Sequence, residues 1–143
     1  MIRTIPKTAL WLGLGGLIPF LATTLALRFG VALPLALPAE KVLLGYGIMI
    51  FAFMSGALWG FAAKSNWAFG YVLSVAPVVI GFLAVISGGV RPIDALIIGF
   101  ITLLPLDFAF ARCHAAPAWW MSLRLVLTTV VVACLIAVWR AGI

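Results

Sequence analysis

The chain has 143 residues, of which 66% are hydrophobic and only 8% charged. A soluble domain typically carries about 45–50% apolar and about 25% charged residues, and one small core cannot bury this excess, so lipid is the fitting solvent. Net charge is +6, but the nine basic residues stand singly at the ends of apolar segments; the absence of a basic run or stripe excludes nucleic acid as a partner and points to membrane orientation and headgroup contact.

Five apolar segments follow in chain order, each near the roughly 20 residues that cross about 30 Å of hydrocarbon. The first spans about residues 8–27. Arg3 and Lys7 precede it like the basic start of a signal peptide. Its apolar run exceeds the roughly 7–15 residues of a signal core, and no small-x-small cleavage site follows before Arg28, so it reads as a retained helix. Pro19 is placed to kink it. The connection Arg28–Lys41 contains Pro34 and Pro38.

The second segment covers about residues 42–63 and contains Gly56-Ala-Leu-Trp-Gly60. Glycines four apart leave a flat face that lets another helix approach closely, so Gly56 and Gly60 are candidate helix-packing positions, for an internal contact or a dimer. Gly13-Leu-Gly15-Gly16 in the first segment is a candidate opposing surface. The third segment, about residues 67–87, carries Pro77, a second kink position.

The fourth segment, about 93–111, holds Asp94 at its start and Asp107 near its end; the fifth covers about 118–139. The two acids make the fourth the weakest span, and a four-helix alternative leaves it re-entrant. Backbone groups in lipid must be bonded within the segment, and no polar–apolar alternation suggests strands, so the fold class is all-α: a polytopic bundle of five transmembrane helices in a single domain. The connections are too short to hold a soluble domain. Trp11, Trp67, Trp119, Trp120 and Trp139 lie near segment ends, as an aromatic belt requires. With the N-terminus inside, Arg3, Lys7, Lys64, Arg112 and Arg124 fall on the inner side, against Arg28, Lys41, Arg91 and Arg140 outside. The count favours a cytoplasmic N-terminus by one residue.

The last hairpin carries the most demanding chemistry. Asp107 and Arg124 lie at nearly equal distances from the turn around Cys113–His114, which sets them within about 3 Å in depth at about 1.5 Å per residue. An ionisable side chain in a membrane helix is costly unless paired, hydrated or snorkelling. An intramembrane Asp107–Arg124 ion pair relieves both costs; independent snorkelling of each side chain is the competing reading. A third reading makes Asp107 a proton or cation carrier. Pro105 would then free the carbonyl of Ile101, and Thr102 and Thr128 would add oxygen ligands.

The remaining polar residues read as ordinary. His114 beside Arg112 and Cys113 is a solvated loop histidine, with no second histidine or cysteine pair to complete a metal site. Glu40–Lys41 and Arg91–Asp94 read as surface charges. Cys113 and Cys134 are roughly twenty helical residues apart, about 30 Å, beyond disulfide reach. No catalytic set, phosphate-binding loop or metal motif is present, so the reading is of a non-enzyme without metal or cofactor.

Pro117-Ala-Trp119-Trp120, then Leu123-Arg124 and Leu127-Thr128, resemble the C-terminal signature of domain-of-unknown-function family 3429, the transmembrane protein 69-like small membrane proteins. Ile5-Pro6, Leu10-Trp11-Leu12-Gly13-Leu14 and Ile18-Pro19-Phe20 are similar to the start of that family, as is Tyr46…Phe53…Gly56…Trp59-Gly60 to its second helix. The likeness spans nearly the whole chain. Leu58 departs from it: the position before the tryptophan is often polar or basic in the family, so any role of that polar group is in doubt here. The resemblance implies a polytopic protein of bacterial or mitochondrial inner membranes and brings no activity or catalytic residues. No Arg- and Ser-rich transit segment precedes the first helix, so the chain is expected in the bacterial cytoplasmic (inner) membrane, less so the mitochondrial one. The expected role is structural or assembly-related, with the lipid bilayer and a homo-oligomer or membrane-protein partner around it. A small solute, ion or proton transporter using Asp107 is the alternative.

Overall fold

The computed structural model describes residues 4–34 and 36–143. Arg3, counted above towards the inner side, lies outside them. Among the described residues there is helix and no strand: α1 (Lys7–Gly15), α2 (Ile18–Phe29), α3 (Ala39–Ser65), α4 (Ala68–Ile86), α5 (Pro92–Arg112) and α6 (Trp120–Trp139). Taken together, α1 and α2 make one span, so five helical units are long and apolar enough to cross a membrane. The fourth is an unbroken helix of 21 residues with no re-entrant turn, in spite of Pro105.

The first span departs most from its expected form. It is broken rather than kinked: α1 stops at Gly15, and α2 begins at Ile18 with Pro19 in its first turn. Proline has no N–H to donate back and suits a helix start, which favours a new helix over a continued one. The break leaves the Gly16 carbonyl open, and the Tyr46 hydroxyl on α3 donates to it at 2.9 Å. A tertiary contact thus satisfies a carbonyl that lipid could not.

Four helices form a closed ring: α2 packs on α3, α3 on α5, α5 on α6, and α6 back on α2. Leu43, Leu58, Phe100, Leu103 and Leu135 fill its centre. Edge-to-face aromatic contacts tie it together, with Phe100 lying 6.3 Å from Phe20 and 5.6 Å from Phe51 between ring centroids. α4 sits outside, against α3 and α5, and buries only Gly70 and Ser74. The Ser55 hydroxyl donates to the Ser74 carbonyl and joins α4 to the ring near Pro77. α1 leans on α6, while α2 touches both α3 and α6.

Close helix approach depends on glycines other than the expected ones. A Cβ at Gly47 would stand 2.8 Å from Leu96, and one at Gly99 would stand 2.8 Å from the Phe51 ring. These positions let α3 and α5 meet. Gly56 and Gly60 are exposed, and a Cβ on either meets nothing within 4 Å. Their spacing is real, yet among the described residues no other element packs on it. Gly13 faces Leu127 and Leu123 of α6, not the α3 glycines.

Candidate functional site

α5 and α6 run antiparallel across the connection 113–119, in which His114 takes φ 55°. Asp107 lies on the last turns of α5 and Arg124 on the second turn of α6, both facing the ring. Arg124 Nε donates to Asp107 Oδ2 at 2.7 Å, and Asp107 and Arg124 are 1% and 2% exposed. They form a buried ion pair; neither side chain snorkels outward. Trp120, one turn before Arg124, donates its indole N–H to Asp107 Oδ1 at 2.8 Å and packs edge-to-face on Phe61 of α3. Both carboxylate oxygens are thus bonded, as a charge in low dielectric requires.

Trp120 is the member of this group that sequence reasoning missed, since a tryptophan at a helix start reads as an interface anchor. The available signal was its spacing from Arg124: four residues along a helix put two side chains on one face. Thr102 is not brought to the group. It is exposed and donates to the Ile98 carbonyl within α5 at 2.7 Å. Thr128 is brought near, one turn beyond Arg124, and is 2% exposed.

The opposite end of the α5–α6 pair repeats the motif near the surface. Asp94 receives Arg91 Nε at 2.8 Å, Arg91 Nη2 at 3.0 Å and the Trp139 indole N–H at 2.9 Å. The Asp94 carboxylate beside it raises the Arg91 pKa above its ordinary range, keeping the guanidinium charged. Arg91 and Asp94, expected only as surface charges, form an ion pair, with a tryptophan from α6 added.

An apolar cavity of about 300 Å³ adjoins the inner pair, between α1, α2, α3 and α6. It lies beside the break in the first span, with Leu12, Gly13 and Gly16 on one side and Ile50, Phe53 and Ala57 of α3 on another. Leu12, Phe20, Phe53 and Leu127 wall it, and Arg124 and Thr128 supply its polar groups. Elsewhere, His114 and Cys113 are exposed at the turn and Cys134 is buried in α6. Among the described residues no group of three or more His, Cys, Asp or Glu could hold a metal ion.

Residues 5–140 match the family described as Protein of unknown function (DUF3429). The chain belongs to that family. Transmembrane protein 69 of Xenopus tropicalis is 31% identical to it over 142 residues, a match covering 94% of this chain and 54% of the relative. The chain thus spans about half the length of that relative. No solved structure matches it. This DUF3429 member is a multi-pass membrane protein, and the stretch that resembles the family's C-terminal signature supplies the α6 side of the ion pair and part of the cavity lining: Trp120, Arg124 and Thr128 all come from it. Leu58, where the chain departs from the family pattern, is wholly buried in the ring.

Proposed function

We propose that the protein is a structural or assembly component of the bacterial inner membrane, with its N-terminus in the cytoplasm, acting through a helix partner. The supporting observation is the open face of α3. Gly45, Ala52, Gly56 and Gly60 are exposed on the longest helix of the fold, and among the described residues nothing would meet a Cβ on any of the three glycines within 4 Å. Small residues at such spacing let a second helix approach to backbone contact, which is how helices associate in lipid. Orientation rests on the positive-inside balance. Localisation to an inner membrane rests on the family resemblance. The role proposed is non-enzymatic.

This reading is preferred to transport through Asp107. Both oxygens of that carboxylate are engaged by Arg124 and Trp120, and the adjoining cavity is walled by hydrocarbon, a poor path for an ion. Native mass spectrometry of protein released from membranes tests the proposal: a complex larger than the monomer is expected, and it should be lost in Gly56→Leu/Gly60→Leu. A strict monomer counts against it. Proteoliposome flux that disappears in Asp107→Asn would favour transport instead.

A further inference from the structure

The cavity beside α1 has an unbalanced wall. Arg124 Nη2 and Thr128 Oγ1 are buried, and neither has a hydrogen-bond partner among the described residues. Both residues line the cavity, one helical turn apart on α6. A buried donor left unmade costs the desolvation of its group, and the cost is larger for a charged donor. Most such groups in folded proteins are matched, so two unmatched groups on one cavity wall are a specific feature. The rest of the wall is hydrocarbon, and the volume falls at the small end of the range for ligand pockets.

We propose that this cavity binds the chain of a neutral, carbonyl-bearing lipid, and that the donor groups of Arg124 and Thr128, which have almost no surface open to it here, turn to give its carbonyl oxygen two hydrogen bonds. Three observations select that chemistry. The unmatched guanidinium nitrogen can only donate, and Thr128 can also donate, so the head must accept. Arg124 is already neutralised by Asp107 at 2.7 Å, so an anionic head would bury a net charge, whereas a ketone or ester oxygen adds none. The apolar wall then takes the chain. Depth agrees: Arg124 lies four residues into α6, about 6 Å along its axis, close to Trp119 and Trp120 at the helix start. Two membrane components share this chemistry, a glycerolipid ester and a prenylated quinone. The site lies beside the break in the first span and not on the open face of α3, so it stands or falls apart from the partner role.

The test is thermal unfolding of the full chain in maltoside micelles with added monoolein, decylubiquinone, oleate or dodecane. A rise in Tm of several degrees is expected with monoolein, decylubiquinone or both; which of them acts identifies the ester or the quinone as the source. Thr128→Val, which keeps the shape and removes one donor, should weaken half-saturation by roughly three- to tenfold. Ala57→Phe, which fills the cavity from α3, should abolish the response while leaving the Asp107–Arg124 pair in place. The proposal is overturned if oleate stabilises more than the neutral probes, if dodecane does as well as they do, if no probe shifts Tm, or if Ala57→Phe responds like the wild type.

Discussion

Trp120 donates its indole N–H to one oxygen of Asp107 and leaves the other to Arg124. The two donors come from successive turns of α6, so one carboxylate on α5 is held by two points on its neighbour. A salt bridge alone would leave an oxygen bare in low dielectric; the tryptophan closes that gap. Trp119, adjacent in sequence, shares its aromatic character but makes no such bond.

Trp120→Phe should therefore destabilise the protein by about 1–2 kcal/mol, the range for a hydrogen bond to a charged group, while retaining much of the edge-to-face packing on Phe61. Trp119→Phe should cost clearly less. Unfolding of both variants in mixed micelles makes the comparison, and equal losses would deny Trp120 its special role.

Removing one member of the ion pair strands the other. Asp107→Asn and Arg124→Gln should each cost about 3 kcal/mol or more. The double variant should cost less than the sum of the two, with a coupling of about 1–3 kcal/mol. Additive losses would show that the two charges do not stabilise each other.

The glycines separate internal from external packing. Gly99→Ala puts a methyl group against the buried Phe51 ring and should cost about 1–3 kcal/mol through overpacking. Gly56→Ala should leave monomer stability unchanged within about 0.5 kcal/mol, because its Cβ meets nothing. A large loss at Gly56 in the isolated monomer would contradict the open face.

The spans were legible because lipid imposes length and composition on every crossing segment, so Pro92–Arg112 could be recognised as a helix despite two acids. The equal depth of Asp107 and Arg124 was legible too, since helical rise and a short turn are enough to compute it. Trp120 was not: position along a helix says where an indole sits, not which acceptor its N–H finds. Gly47 and Gly99 were hidden for a related reason. Each matters through one bulky partner on another helix, Leu96 or Phe51, and no local spacing announces that pairing. The α1–α2 break was half visible. Pro19 marked the place, but nothing local showed that the freed Gly16 carbonyl is taken up by Tyr46, thirty residues beyond it.

Asp94 and Asp107 stand at the two ends of α5, and each is fastened to α6 by a tryptophan, Trp139 and Trp120. Thirteen residues of α5 separate the two fastenings, about 20 Å along that helix. α6 cannot slide along α5 by a turn without breaking both at once, so the final hairpin behaves as a rigid strut of set length. In a bilayer thinner than that strut prefers, the hairpin must tilt or draw the lipid up around it; it cannot shorten by shear.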